Sequence, residues 1–193
     1  MADLADGVWL NPPATWSLDD GILDIVTDAN TDFWRETHYG FTRDSGHFLG
    51  VPTAGDFTAQ IRVRGSFAEL YDQAGIMVRV AATGWVKAGI ELSDGRAMLG
   101  SVLTDHRSDW TTAEYGHNAG DIWLRVTVAA GVMRLQSSHD CVRWPMMRLA
   151  PFPVADWYFV GPMCCSPERA GLRARFSDFA PGPPNGRALH DLG

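Results

Sequence analysis

The sequence predicts an all-β fold of two packed antiparallel sheets, and three observations carry that prediction. Nine short segments alternate apolar and polar residues with period two. The breaks between them hold turn residues such as Asp19-Asp20-Gly21, Ser93-Asp94-Gly95 and Ala129-Ala130-Gly131. No window of about 12 residues sustains an i, i+3, i+4, i+7 apolar stripe, so no long helix is expected.

In chain order the expected strands begin with Ile22–Thr27, Phe57–Arg64 and Ala74–Val80, all rich in β-branched residues. Trp85–Leu92, Ala97–Leu103 and Ile122–Val128 follow. Val132–Ser137, Trp157–Gly161 and Leu172–Asp178 complete the set. Alternation also sorts the side chains by face. Ala74, Ile76, Val78 and Val80 oppose Gln73, Gly75, Met77 and Arg79. Val86, Ala88, Ile90 and Leu92 oppose Lys87, Gly89 and Glu91, and Ile122, Leu124, Val126 and Val128 oppose Trp123, Arg125 and Thr127. The apolar sets fill the space between the sheets. The second sets mix charge with Met and Trp, and strands lying side by side would turn them into one polar-aromatic surface. A solvated outer face with scattered aromatics is the alternative.

With 193 residues, 21.2 kDa and 46% apolar content, the chain is long enough for one domain with a real core. That domain is expected over residues 1–186, with residues 187–193 as a flexible tail after Pro181-Gly-Pro-Pro-Asn-Gly186. A net charge of −7 and a pI near 5.2 argue against a nucleic-acid partner. The acidic start Met1-Ala-Asp-Leu-Ala-Asp-Gly7 has no basic and no apolar region of a secretory signal, and no apolar run nears the roughly 20 residues of a membrane span. Cys141, Cys164 and Cys165 form an odd set with two neighbours in sequence, which points to three reduced thiols and a cytoplasmic setting.

Three ordered blocks go further. They are Thr31-Asp-Phe-Trp-Arg-Glu-Thr-His-Tyr-Gly-Phe-Thr-Arg-Asp-Ser-Gly-His-Phe48, Asp72-Gln-Ala-Gly-Ile-Met-Val-Arg79 with Trp85-Val-Lys-Ala-Gly-Ile-Glu-Leu92, and Val160-Gly-Pro-Met-Cys-Cys-Ser-Pro-Glu168 leading into Phe176-Ser-Asp-Phe179. Over residues 8–180 the chain resembles the regulation-of-enolase family of the concanavalin A-like lectin/glucanase superfamily. The resemblance implies a jelly-roll sandwich of two curved antiparallel sheets. It implies no particular reaction, because the family has none established and a fold alone supplies none.

Lectins and glucanases of that superfamily use the concave sheet. Sugar binding asks for a ring to stack on a pyranose and planar polar groups to meet its hydroxyls. The candidates are Trp34, His38, Tyr39, Gln73, Arg79, Lys87, Glu91, Trp123 and Arg125. Packing of Phe33 and Trp34 at the sandwich edge, and a cross-strand charge network of Gln73, Arg79, Lys87 and Glu91, are the competing structural accounts. Glycoside hydrolysis needs two carboxyl groups within about 5–9.5 Å. The strand of Glu91 offers only Gly89 and Ser93 as same-face neighbours, and nothing in the sequence brings Glu36 or Asp109 to it.

Asp28-Ala-Asn-Thr-Asp32 spaces oxygens as a calcium loop does, but Phe33 stands at the glycine position and Tyr39 at the glutamate. The histidines at 38, 47, 106, 117, 139 and 190 show no ligand spacing, and hydrogen-bonded structural roles are expected for His38 and His47. Gly-x-Ser-x-Gly and phosphate-loop patterns are absent, and Cys164 and Cys165 read as a buried, inert pair. The function expected is therefore non-catalytic binding of a small polar ligand, foremost a carbohydrate, on the concave sheet, with no cofactor or metal. The alternatives are a protein-interaction module that regulates a metabolic enzyme and, less favoured, a glycoside hydrolase.

Overall fold

The computed structural model describes residues 3–116 and 120–193, so Met1, Ala2 and His117 lie outside the described residues. Sixteen strands follow one another among them. They are β1 (Val8–Leu10), β2 (Thr15–Asp19), β3 (Ile22–Val26), β4 (Phe33–Arg35), β5 (Thr42–Asp44), β6 (His47–Ala54), β7 (Phe57–Gly65) and β8 (Gln73–Ala81). Then come β9 (Gly84–Ser93), β10 (Arg96–Asp105), β11 (Arg107–Glu114), β12 (Ile122–Ala129), β13 (Val132–Ser138), β14 (Met146–Pro151), β15 (Trp157–Cys165) and β16 (Arg173–Gly182). One sheet runs β1-β6-β15-β8-β9-β10-β11 and the other β14-β13-β12-β7-β16-β3-β2, with β4-β5 as a separate ribbon. The result is the all-β, two-sheet sandwich expected from the alternation.

Three hairpins turn where the sequence predicts. Asp20 and Gly21, Asp94 and Gly95, and Ala130 and Gly131 all have φ between 48° and 75°, the left-handed pair that a two-residue turn needs to match strand twist. The core lies between the sheets. Ala74, Ile76, Val78, Val86, Ala88 and Ile90 from the first sheet meet Ala59, Ile61, Val63, Leu124, Val126 and Val128 from the second, all buried. Burying each such aliphatic side chain contributes about 1.5–3 kcal/mol for the larger ones.

The first sheet is also covered on its outer side. Phe33 and Trp34 from the β4 region pack on Met77, Trp85, Val102 and Met163 to form a second apolar cluster. Residues 31–46 therefore act as a flap over the middle strands. A buried polar knot anchors the flap's start. The Ser166 hydroxyl donates to Asp72 (2.9 Å), the Ser166 amide donates to Thr31 Oγ1 (2.8 Å), and Arg169 pairs with Asp72. Against the upward pull of burial, Arg169 and the Ala68 and Glu69 amides hold the Asp72 carboxyl below its ordinary range.

The closing residues lie on the second sheet's outer side. The Arg134 guanidinium donates to the carbonyls of Arg187 and Ala188 and to Asn185 Oδ1, and the Trp144 amide donates to the Leu192 carbonyl at 2.7 Å.

Candidate ligand-binding site

Antiparallel register builds the floor of the site. Gln73 on β8 stands opposite Glu91 on β9, and Met77 stands opposite Lys87. Period two then puts Gln73, Lys87 and Glu91 on one outer face, as the sequence predicts. Lys87, with only 4% of its side chain exposed, donates to Gln73 Oε1 at 2.6 Å and to Asp32 Oδ1 at 3.4 Å. Burial acts to lower the Lys87 pKa, yet the nearby carboxylates, Asp32 foremost, more than offset it and the pKa is raised. The ammonium is thus charged at neutral pH.

Glu91 differs. It is 8% exposed, and burial, with some help from Asp32 and against Lys87, pushes its pKa up to about 7. Its Oε1 is buried and has no hydrogen-bond partner among the described residues. A buried acceptor left unsatisfied costs about 1–3 kcal/mol, so a donor that reached this oxygen would relieve that cost.

Above the floor lies a cavity of about 230 Å³ whose walls are largely aromatic. The flap supplies Trp34, Tyr39 and Phe41, the β7–β8 connection supplies Tyr71, and β11 supplies Trp110. Trp34 meets Trp110 at 6.3 Å and 87° and Tyr39 at 5.7 Å and 72°, while Tyr71 meets Trp110 at 6.4 Å and 75°. These near-perpendicular contacts make a box rather than a single platform. The Tyr39 and Tyr71 hydroxyls are 3.2 Å apart, and that hydrogen bond, with burial, pushes the Tyr71 pKa up to about 12.

The flap is held in several places. The Arg35 amide donates to Ser108 Oγ (2.9 Å), Asn11 Nδ2 donates to the carbonyls of Asp44 and Gly46, and Arg79 grips both Asp44 oxygens at 2.8 Å. Asn30, Glu36 and His38 take left-handed φ of 60–63°, which folds the segment tightly over the cavity.

Of the nine residues expected at a site, Trp34, Tyr39, Gln73, Lys87 and Glu91 converge on this cavity. His38 instead packs edge-on to Tyr39 at 4.8 Å, and Arg79 serves as the strut to Asp44. Trp123 and Arg125 must be corrected. Strand β12 pairs with β7 and β13 in the second sheet, so their side chains face away from the cavity on the opposite side of the sandwich. There Arg125 lies 3.6 Å over the Trp144 ring, and Arg62 lies 5.4 Å over the Trp123 ring.

Asp32 is the main residue that sequence reasoning passes over as part of a site. It supplies the second acidic group that the strand of Glu91 lacks, entering from the flap rather than from a neighbouring strand. Its only sequence signal is the Asp28–Asp32 oxygen spacing. Those oxygens turn inward to protein partners: Asp28 accepts from the Ala14 amide and Asp32 from the Phe33 amide. His47 takes a structural place, accepting at Nε2 from the Asp28 amide and bonded through Nδ1 to the Asn11 carbonyl. Cys165 lies near Lys87, yet burial pushes its thiol pKa far up despite that cation, and burial does the same to Cys164. Both are neutral thiols. Among the described residues no cluster of three His, Cys, Asp or Glu side chains could hold a metal ion, and no helix is long and apolar enough to cross a membrane.

Residues 9–184 match the family described as "Protein of unknown function (DUF1349)". The chain belongs to this family. It is 60% identical to the Saccharomyces cerevisiae protein named Regulation of enolase protein 1, over 98% of this chain and 96% of the relative. A crystal structure of a functionally unknown protein from Saccharomyces cerevisiae matches with a TM-score of 0.94 at 60% identity, covering 95% of this chain and all of that one. The family fold also recurs in larger enzymes. A GH43B chain from the Bacteroides ovatus xyloglucan locus matches with a TM-score of 0.67 at 19% identity, over 91% of this chain and 36% of that one. At that identity the likeness shows the sandwich fold alone.

Proposed function

We propose that this protein binds a small polar ligand, foremost a carbohydrate, in the cavity between the flap and the first sheet. The observation that carries the reading is the buried, unpartnered Glu91 Oε1, within electrostatic reach of the Lys87 ammonium, in the lining of an aromatic-walled cavity. A ligand hydroxyl would satisfy that oxygen, and a ring's apolar face would pack on Trp34 or Trp110. Titration calorimetry across common mono- and oligosaccharides tests it. Trp110→Ala should weaken binding by roughly 2–10-fold, the usual worth of one aromatic contact, and Trp123→Ala should leave it unchanged. Absence of heat with every sugar would sink the carbohydrate assignment.

A second reading rests on a different surface. Val8, Trp157 and Phe159 are exposed, and register with β6 sets them on the outer face of the first sheet, beside Gly50 and Pro52. Such a patch suits a protein partner, in keeping with the name of the yeast relative. Enolase is the partner to try first. Trp157→Ser with Phe159→Ser should abolish any complex seen by sedimentation while leaving the cavity intact. The three free thiols further support a reducing, cytoplasmic location.

A further inference from the structure

With Glu91 ionised, the cavity is one cation short. Its lining holds three carboxylates, Asp32, Glu91 and Glu168, against two cations, Lys87 and Arg43. Glu168 and Arg43 are exposed at the rim, where solvent screens them. The imbalance therefore sits at the floor. There a single ammonium faces two carboxylates and spends its hydrogen bonds on Asp32 and Gln73, leaving Glu91 Oε1 with none. A neutral hydroxyl would satisfy the hydrogen bond but not the charge.

We infer that the cavity takes a protonated amine and, on the carbohydrate reading above, an amino sugar with a free ammonium group. The ammonium would donate to Glu91 Oε1, a charge-assisted bond about twice as strong as a neutral one. The surrounding rings of Trp34, Tyr39, Tyr71 and Trp110 favour a cation electrostatically as well as by contact. The sugar hydroxyls would then meet Gln73 and Lys87. An acetylated amine loses both the charge and the fit to a lone carboxylate, and an anionic sugar adds a fourth negative group. Proton linkage agrees, since a bound cation stabilises the ionised form of a carboxyl that otherwise titrates near pH 7.

The test is a calorimetric panel at pH 7 with glucosamine, glucose, N-acetylglucosamine, glucuronic acid and ethanolamine. Glucosamine should bind about tenfold tighter than glucose or N-acetylglucosamine, the step expected of one charged over one neutral hydrogen bond. Glucuronic acid should be weakest. Glu91→Gln should cut the glucosamine-to-glucose preference to near one, with its circular dichroism spectrum and cooperative melt showing that the variant is folded. Should that variant fail to fold, wild-type protein decides: the preference must grow between pH 6 and 7 as Glu91 ionises, and a flat profile refutes the amine. Glucose binding as tightly as glucosamine overturns this inference and leaves the sugar-binding reading standing. Ethanolamine binding with no sugar bound upholds the amine and overturns the carbohydrate. Silence from the entire panel overturns both.

Discussion

The outer faces of the two sheets start from the same pattern and end in different chemistry. On β8 and β9, Gln73, Lys87 and Glu91 alternate with core residues; on β7 and β12, Arg62, Arg64 and Trp123 do the same. Lys87 is 4% exposed, whereas the Arg62 and Asp121 side chains that pair with each other are both 30% exposed. The flap of residues 31–46 makes the difference, because it covers the floor on the first face, whereas Arg62 and Asp121 lie on a part of the second face that nothing covers as fully. Alternation thus tells which side chains share a face, and only the cover tells whether that face is a solvated surface or a pocket.

The sharpest way to break the comparison is to remove one cation from each face. Lys87→Met strands Asp32, Gln73 and Glu91 in a dry site and should destabilise by about 3–5 kcal/mol. Arg62→Met removes a partly solvated ion pair and should cost no more than about 1 kcal/mol. Urea unfolding of both variants measures it. Equal losses would mean that the flap does not dry the first face.

Acid and base sharpen the same contrast, because the two faces shift their carboxylates in opposite directions. Folding raises the Glu91 pKa to about 7 from an ordinary value near 4.3. Between those values the folded chain keeps a proton that the unfolded chain has released, so stability falls as pH rises through the window and levels off above it. Glu91→Gln removes that penalty. The variant should match wild type near pH 4 and exceed it by about 3 kcal/mol at pH 8. Asp121 is held below its ordinary range, first by the hydrogen bond from Arg62. Its contribution is present above pH 4 and lost as pH falls through its folded pKa. Asp121→Asn should therefore lose up to about 1 kcal/mol at pH 7 and nothing in acid. Thermal melts across pH 4–8 would show the two profiles starting together in acid and diverging as pH rises.

Legibility in the sequence followed the same line of cover. Strands whose polar and apolar residues alternate without a break declare themselves: β3, β7, β8, β9, β10, β12 and β13 fall where alternation places them, and the Asp-Gly and Ala-Gly turns between them agree. Strand β6 hides because Gly50 and Pro52 interrupt its pattern and both of its faces are largely buried. Strand β11, Arg107–Glu114, hides for the opposite reason, as an exposed edge with hardly an apolar residue. The floor of the cavity was readable because it is a local pattern on β8 and β9. Its walls were not, since Tyr71 and Trp110 lie about 40 residues apart and reach each other only through sheet order. The same limit misplaced Trp123 and Arg125. Their alternation is legible, but nothing local says which sheet β12 joins.

One rung of the first sheet offers a finer test of how that floor is set. Gly75, Gly89 and Gly100 are register partners across β8, β9 and β10. A Cβ at Gly89 would sit 2.1 Å from the Ala74 carbonyl oxygen, and one at Gly75 would sit 1.9 Å from that of Ala88. Both obstacles are backbone, so the strands themselves would have to part. At Gly100 the nearest atom is 3.7 Å away, an ordinary contact. Gly89→Ala should cost about 3 kcal/mol, the upper end for overpacking, and lower the melting temperature by roughly 6–12 °C. Gly100→Ala should be neutral or stabilise by up to about 1 kcal/mol, because it only restricts the unfolded chain. Gly89 also lies midway between Lys87 and Glu91 on the same face of β9. Any shift that relieves the clash therefore moves the ammonium and the unpartnered carboxyl relative to Asp32, so ligand affinity should fall with stability in Gly89→Ala and stay level in Gly100→Ala. A Gly89→Ala protein that melted and bound like wild type would show that the close approach of β8 and β9 is not what holds the floor in place.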